Sequence, residues 1–158
     1  MTIYRMATEA DLDELAQMRW DFELEEAPGA TVHDQATFLT ACTAFLRQGL
    51  PEQRWTYWVA QEDPQIISHI YIQRVPKVPK PNRHDDALGY VTNVYTRPAY
   101  RHQGIGTRLM THVLAWAREQ DLESLIVWPS EASVRFYERA GFRGSSEILE
   151  YSVRPYVL

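Results

Sequence analysis

Residues 100–107 read YRHQGIGT. These residue types at this spacing suit one chemistry, the holding of a phosphate. Gly104 and Gly106 stand one residue apart, Arg101 lies three residues before the first, and a helical pattern follows at once. The first turn of a helix exposes unpaired N–H groups and the positive end of the helix dipole, a combination that binds phosphate readily. Glycine there permits positive φ and removes a Cβ that would block close approach, and an arginine alongside adds a charge-assisted contact. The same glycines would also serve a strand–helix connection in which they only relieve crowding. Two other phosphate motifs do not fit: Thr107-Arg108 stands where a Walker loop needs Lys-Ser/Thr, and Leu109 stands where a dinucleotide fingerprint needs its third glycine.

The elements that must carry this loop are legible from periodicity. Strands are expected over residues 3–6, 55–61, 65–75, 88–96, 124–128 and 147–153, where β-branched and aromatic residues cluster or alternate. Helices are expected over residues 9–25, 34–47, 104–120 and 130–140. Thr8 and Asp11 have the form of a capping box, Ser130 that of an N-cap, and Gly141 that of a left-handed helix end with Phe142 folding back. The stretch 76–86 contains three prolines and no core pattern, so it reads as a loop. The order β-α-α-β-β-β-α-β-α-β describes one mixed sheet flanked by helices.

The chain has 158 residues, of which 45% are hydrophobic and 23% charged, the composition of one ordinary globular domain spanning residues 1–158. No run approaches the length of a membrane span. The acidic, patterned N-terminus does not read as a signal or transit peptide, and Cys42 is the only cysteine. A cytoplasmic protein with no membrane association is therefore expected. The net charge of −5 argues against nucleic-acid binding. Its distribution is uneven: residues 9–26 carry eight carboxylates, whereas residues 87–118 carry none and hold Arg97, Arg101, Arg108 and Arg118. The cationic window suggests a small anionic ligand, although chance clustering on a solvated face would look the same.

The run NVYTRPAYRHQGIGTRLM, residues 93–110, resembles the acetyl-CoA-binding motif of the GNAT superfamily of N-acetyltransferases, and SEASVRFYERAGF, residues 130–142, resembles the later helix of the same superfamily. The resemblance implies an α/β (α+β) fold: a single mixed, mostly antiparallel sheet of six to seven strands flanked by about four helices. It implies acetyl-CoA as co-substrate and no metal. Backbone groups of Val94, Tyr95 and Thr96 would pair with the pantetheine arm, and the amides of Arg101, His102, Gln103, Gly104, Ile105, Gly106 and Thr107 would hold the pyrophosphate. Ser130 and Ser133 stand where the superfamily often has Asn and Ala, and would still accommodate the cofactor. Tyr137 would protonate the leaving thiolate, unless it only packs beside Phe136.

The implied reaction is direct acetyl transfer to a primary amine of a small molecule or peptide, within a ternary complex. An N–H near Val94 would serve the oxyanion. The strand over residues 88–96 has no carboxylate to deprotonate the amine. Asn93 would position a water there. Glu25, Glu26, His84, Asp85 and Asp86 are other candidates, each also explained as simply solvated. The acidic first helix would favour a cationic acceptor such as a polyamine, an aminoglycoside-like compound, an amino acid or a peptide N-terminus. His69 reads as a satisfied or surface histidine, the His84–Asp86 cluster as a poor metal site, and Trp20 as core or pocket lining. The alternative function is a catalytically silent acyl-CoA sensor. The strand over 147–153 is available to pair across a homodimer.

Overall fold

The computed structural model describes residues 1–29 and 34–154, in two compact units, residues 1–128 and 129–158. The first contains five strands: β1 (Ile3–Met6), β2 (Trp55–Glu62), β3 (Gln65–Pro76), β4 (Ala87–Thr96) and β5 (Leu125–Val127). They lie in the sheet in chain order. Neighbours from β1 to β4 are antiparallel, and β5 runs parallel to β4. A parallel step requires a crossover, here α3 (Ile105–Glu119).

Side-chain alternation gives the sheet two apolar faces. Tyr57, Val59, Tyr71 and Tyr95 point to one of them. There they form a buried cluster with Leu12, Leu15, Ala16 and Met18 of α1 (Leu12–Glu26) and Leu46 of α2 (Gln35–Gly49). Trp58, one residue out of phase, points to the other face and meets His112 of α3, with ring centroids 6.1 Å apart. On that face α3 buries Ile105, Leu109, Met110 and Val113. Each such aliphatic side chain, fully withdrawn from water, contributes about 1.5–3 kcal/mol. The sheet between the helices is therefore covered on both sides, and β3 buries seven consecutive residues from Ile66 to Ile72, as a doubly covered strand should.

The capping box is present, but on a short 3₁₀ turn ahead of α1: Asp11 Oδ2 accepts from the Thr8 amide at 2.7 Å and from Arg5 Nη1 at 2.8 Å. The second unit holds a 3₁₀ turn, Glu131–Ser133, and α4 (Val134–Ala140). Gly141 ends α4 at φ 106, and the Phe142 amide donates to Tyr137 O at 3.0 Å, as the Gly-Phe pair suggested.

One expected element is missing. The sheet has five strands among the described residues, not six to seven, because residues 147–153 form no strand. Ile148, Leu149, Tyr151 and Val153 are exposed. Alternation marks a segment that is able to pair, but a strand exists only where a neighbouring edge takes up its backbone hydrogen bonds.

Candidate active site

The loop that prompted the phosphate reading is built from two left-handed residues. After β4 the chain makes a 3₁₀ turn, Pro98–Tyr100. His102 then adopts φ 64 and Gly104, the N-cap of α3, adopts φ 78. The φ at Gly104 is one that L side chains adopt only with strain. The first amide of α3 with a protein acceptor is that of Arg108, bonded to Gly104 O at 3.0 Å. Among the described residues, the six amides from His102 to Thr107 meet no protein acceptor, and no side chain caps the helix. Had the protein capped these amides itself, a phosphate would have had nothing to bind. The donors, the dipole and the glycine therefore fit a pyrophosphate.

Arg101 was expected to add its charge to this site, but the structure turns it elsewhere. Its Nε donates to Thr96 O at 2.8 Å, and its two Nη atoms reach both carboxylate oxygens of Glu25 at 2.5 and 2.9 Å. The guanidinium also lies over the Tyr95 ring, 5.4 Å from its centroid, and Tyr95 stacks on Phe22 of α1. The hydrogen bonds from Arg101 hold the Glu25 carboxyl below the usual carboxylate range, which makes Glu25 a poor proton acceptor.

The same pairing explains the uneven charge of the sequence. Arg97 donates to Ile66 O at 2.7 Å and lies 3.4 Å from Glu14 and 3.8 Å from Asp21. Arg19 pairs with Glu23 at 2.6 Å. Six of the eight carboxylates in residues 9–26 have an internal cationic partner: Glu9, Asp11, Glu14, Asp21, Glu23 and Glu25. The carboxylates of residues 9–26 thus neutralise Arg97 and Arg101 of the cationic window, and most of their charge is met inside the chain, which weakens the argument for a cationic acceptor. The connection between α1 and α2 lies partly, at residues 30–33, outside the described residues.

Past the loop the sheet splits. β5 pairs with β4 only at Gly89, Tyr90 and Val91, whereas β3 continues beside β4 to Thr96. Residues 92–96 consequently have a strand neighbour on one side only. Val94, Tyr95 and Thr96 lie on this open edge, although Thr96 O is already taken by Arg101 and Tyr95 O accepts from Ser68 Oγ at 2.9 Å. Within this stretch β4 is bulged. Tyr71 pairs with Thr92 and His69 with Tyr95, so Asn93 and Val94 together oppose Ile70. Asn93 sits at φ 52. Its carbonyl bonds His69 Nδ1 at 2.7 Å and its Oδ1 accepts from Arg19 Nη1 at 3.0 Å. Its buried Nδ2 has no hydrogen-bond partner among the described residues, nor has the buried Tyr71 hydroxyl.

Sequence reasoning missed two things here. It took His69 for a satisfied or surface residue, whereas the ring is fully buried, with one nitrogen on Asn93 and Nε2 without a partner. It also had no means of locating the bulge, whose only local signal is an asparagine, one of the few residues that tolerate a left-handed backbone.

Several of the other candidates are engaged structurally. Asp85 pairs with Arg74 at 3.0 Å, while the buried Asp86 pairs with Arg83 at 3.2 Å and accepts from the Ala87 amide. No group of three or more His, Cys, Asp or Glu residues is placed to hold a metal among the described residues. Trp20 packs on Phe38 of α2, with centroids 5.5 Å apart. In the second unit, Ser130 Oγ donates to Ser133 Oγ at 2.9 Å, and Ser133 Oγ donates back to Ser130 O at 3.0 Å. Tyr137 is buried at 7% exposure, edge-on to Phe136 and Phe142. Burial pushes its hydroxyl up to about 12.

Comparison with known proteins bears on the fold and the family. A crystal structure of a protein described as a predicted acetyltransferase, with acetyl-CoA, from Clostridium acetobutylicum superposes with TM-score 0.79 at 25% identity, covering 97% of both chains. A GCN5-related N-acetyltransferase from Ralstonia eutropha JMP134 has the same fold, with TM-score 0.74, 22% identity and coverage of 98% and 100%. A glucosamine 6-phosphate N-acetyltransferase of Trypanosoma brucei brucei is 35% identical over 65 residues, 41% of this chain and 44% of its own length. The chain therefore matches less than half the length of that curated relative. No described helix is long and apolar enough to cross a membrane. The acetyltransferase (GNAT) family matches residues 12–142, the stretch that contains the split sheet, the left-handed loop and α4, and this chain belongs to that family.

Proposed function

We propose that the chain transfers the acetyl group of acetyl-CoA directly to a primary amine of a small molecule or peptide, within a ternary complex. One observation carries this reading: six unpaired amides, residues 102–107, follow a strand whose neighbour ends at residue 127, in a chain of the GNAT family. The amides and the α3 dipole hold the pyrophosphate. The open edge of Val94, Tyr95 and Thr96 takes the pantetheine arm as an added strand would. The cofactor supplies an activated thioester. The Val94 amide stabilises charge on the carbonyl oxygen, and Tyr137, protonated at neutral pH, gives its proton to the thiolate. With Glu25 committed to Arg101, solvent takes the amine proton, and Asn93 orders the water. The family likeness and the position of Tyr137 in the stretch that resembles the superfamily's later helix support these roles.

A silent acyl-CoA-binding module is the second reading. It is favoured by the same committed Glu25 and by the absence of a carboxylate on β4. Calorimetry with coenzyme A, followed by thiol-release assays against an amine panel, separates the two. The panel contains spermidine, an aminoglycoside, free amino acids, a peptide N-terminus and, because of the trypanosomal relative, glucosamine 6-phosphate. Binding with turnover supports the enzyme, and binding without turnover supports the sensor. No heat with coenzyme A overturns both.

A further inference from the structure

His69 stands outside every role assigned so far, yet it grips the backbone at the point where the sheet opens. Its acceptor partner is the carbonyl of Asn93, 2.7 Å from Nδ1. A carbonyl only accepts, so Nδ1 carries the proton and Nε2 is the unprotonated nitrogen. The carbonyl of Asn93 and the amide of Val94 belong to one peptide unit. The only cis peptide in the chain's described residues is Asp63-Pro64, so the 93–94 unit is trans, with C=O and N–H pointing in opposite directions. Holding the carbonyl toward His69 therefore drives the Val94 N–H away from His69.

Two features show that this peptide orientation is held in place rather than following from the strand itself. The bulge leaves Asn93 and Val94 out of register with β3, so the ladder does not orient the unit. Asn93 also sits at φ 52, a left-handed conformation that asparagine tolerates better than most residues but that an extended strand does not supply, so its neighbours must hold it there. The surroundings here are His69 on the carbonyl and Arg19 on the side chain. His69 is itself clamped: its ring is fully buried, with the Tyr71 centroid at 4.9 Å and the Tyr95 centroid at 5.7 Å.

We propose that His69 is a positioning residue for acetyl transfer, its Nδ1–H fixing the Asn93–Val94 peptide so that the Val94 amide faces the thioester carbonyl. The inference rests on the acetyltransferase reading and names which group aims the oxyanion donor. Burial, more than the hydrogen bond to Asn93 opposes it, lowers the imidazole's pKa to about 3. The ring is thus neutral and the grip constant over the whole working pH range.

Two polar substitutions test the proposal. In His69→Asn the amide nitrogen occupies roughly the place of Nδ1, whereas in His69→Gln it extends toward the place of Nε2. We expect His69→Asn to keep kcat within about 5-fold of the parent. His69→Gln should lose about 100-fold, the usual effect of removing one oxyanion donor, with coenzyme A affinity within about 2-fold in both. Equal kcat in the two variants, or losses matched by equal losses of coenzyme A affinity, would overturn the proposal. A second readout needs no turnover. The ¹⁵N-edited resonance of the Val94 amide should shift differently with acetyl-CoA than with coenzyme A, in the parent and in His69→Asn but not in His69→Gln. If the parent binds acetyl-CoA and acetylates no amine, the catalytic reading fails while this spectral difference still decides the role of His69. Its absence in the parent sinks the role outright.

Discussion

A Cβ added at Gly104 would meet nothing closer than the flexible guanidinium of Arg108, at 3.4 Å, so space is not what requires glycine there. The backbone is: φ 78 costs an L residue about 1–2 kcal/mol. Gly104→Ala should therefore fold with a modest loss of stability and weaken coenzyme A binding about 10-fold, because relaxation of φ turns the loop amides off their common target. Calorimetry against a thermal melt separates the two effects. At Tyr137 the burial that raises the phenol to about 12 keeps the proton in place at neutral pH. Tyr137→Phe should lower kcat about 100-fold and leave coenzyme A affinity as it was; unchanged kcat in steady-state assays would return Tyr137 to a packing role. The glycine loop was legible from residue type and spacing, whereas Tyr137 was singled out only by the resemblance of residues 130–142 to the superfamily's later helix. The commitment of Arg101 was not, since its partner Glu25 lies 76 residues away in the chain.

Among the elements, the contact between the end of α1 and the loop before α3 has the most direct consequence. The Arg101–Glu25 pair is bidentate but about one-third exposed on each side, so it contributes no more than about 1 kcal/mol to stability. Its larger effect is electrostatic, because Glu25 neutralises the arginine that immediately precedes the phosphate-binding amides. Glu25→Gln should shift the melting temperature little. It should tighten coenzyme A binding about 2- to 5-fold at low ionic strength, an advantage that fades as salt screens the released charge. Weaker binding in calorimetry would instead make the pair a brace that the loop requires. Periodicity located α1, α2 and α3 and the strands β1 to β5 to within a few residues. These segments bury one or both faces, and burial is what writes a period into a sequence. It misjudged residues 147–153, where alternation met no strand edge.

At the scale of the whole molecule, the buried His69 ties folding to pH. The folded chain holds it neutral down to about pH 3, whereas the unfolded chain protonates it near pH 6.5. Below that value the unfolded state binds a proton that the folded state refuses. The stability linked to His69 is full above about pH 6.5 and is lost as pH falls toward 3. Urea midpoints should therefore drop between pH 6.5 and 5, above the range in which Asp11 and Glu25, both held low by arginine, begin to add their own acid sensitivity. His69→Asn should flatten the curve in that window, and an unchanged slope would mean that another group is responsible. By itself, the amino-acid sequence determined the helices, the strands with buried faces and the loop of free amides. Each depends on neighbours within a few residues: unpaired donors are a property of any helix start, and amphipathic period a property of any covered element. Only the tertiary structure decided which arginine was already spoken for, where β4 bulges, and that a histidine holds the bulge. Those outcomes are hydrogen bonds and ion pairs between residues 24 to 83 positions apart, and strand register and helix docking, not local composition, bring such groups within 3 Å or so of one another.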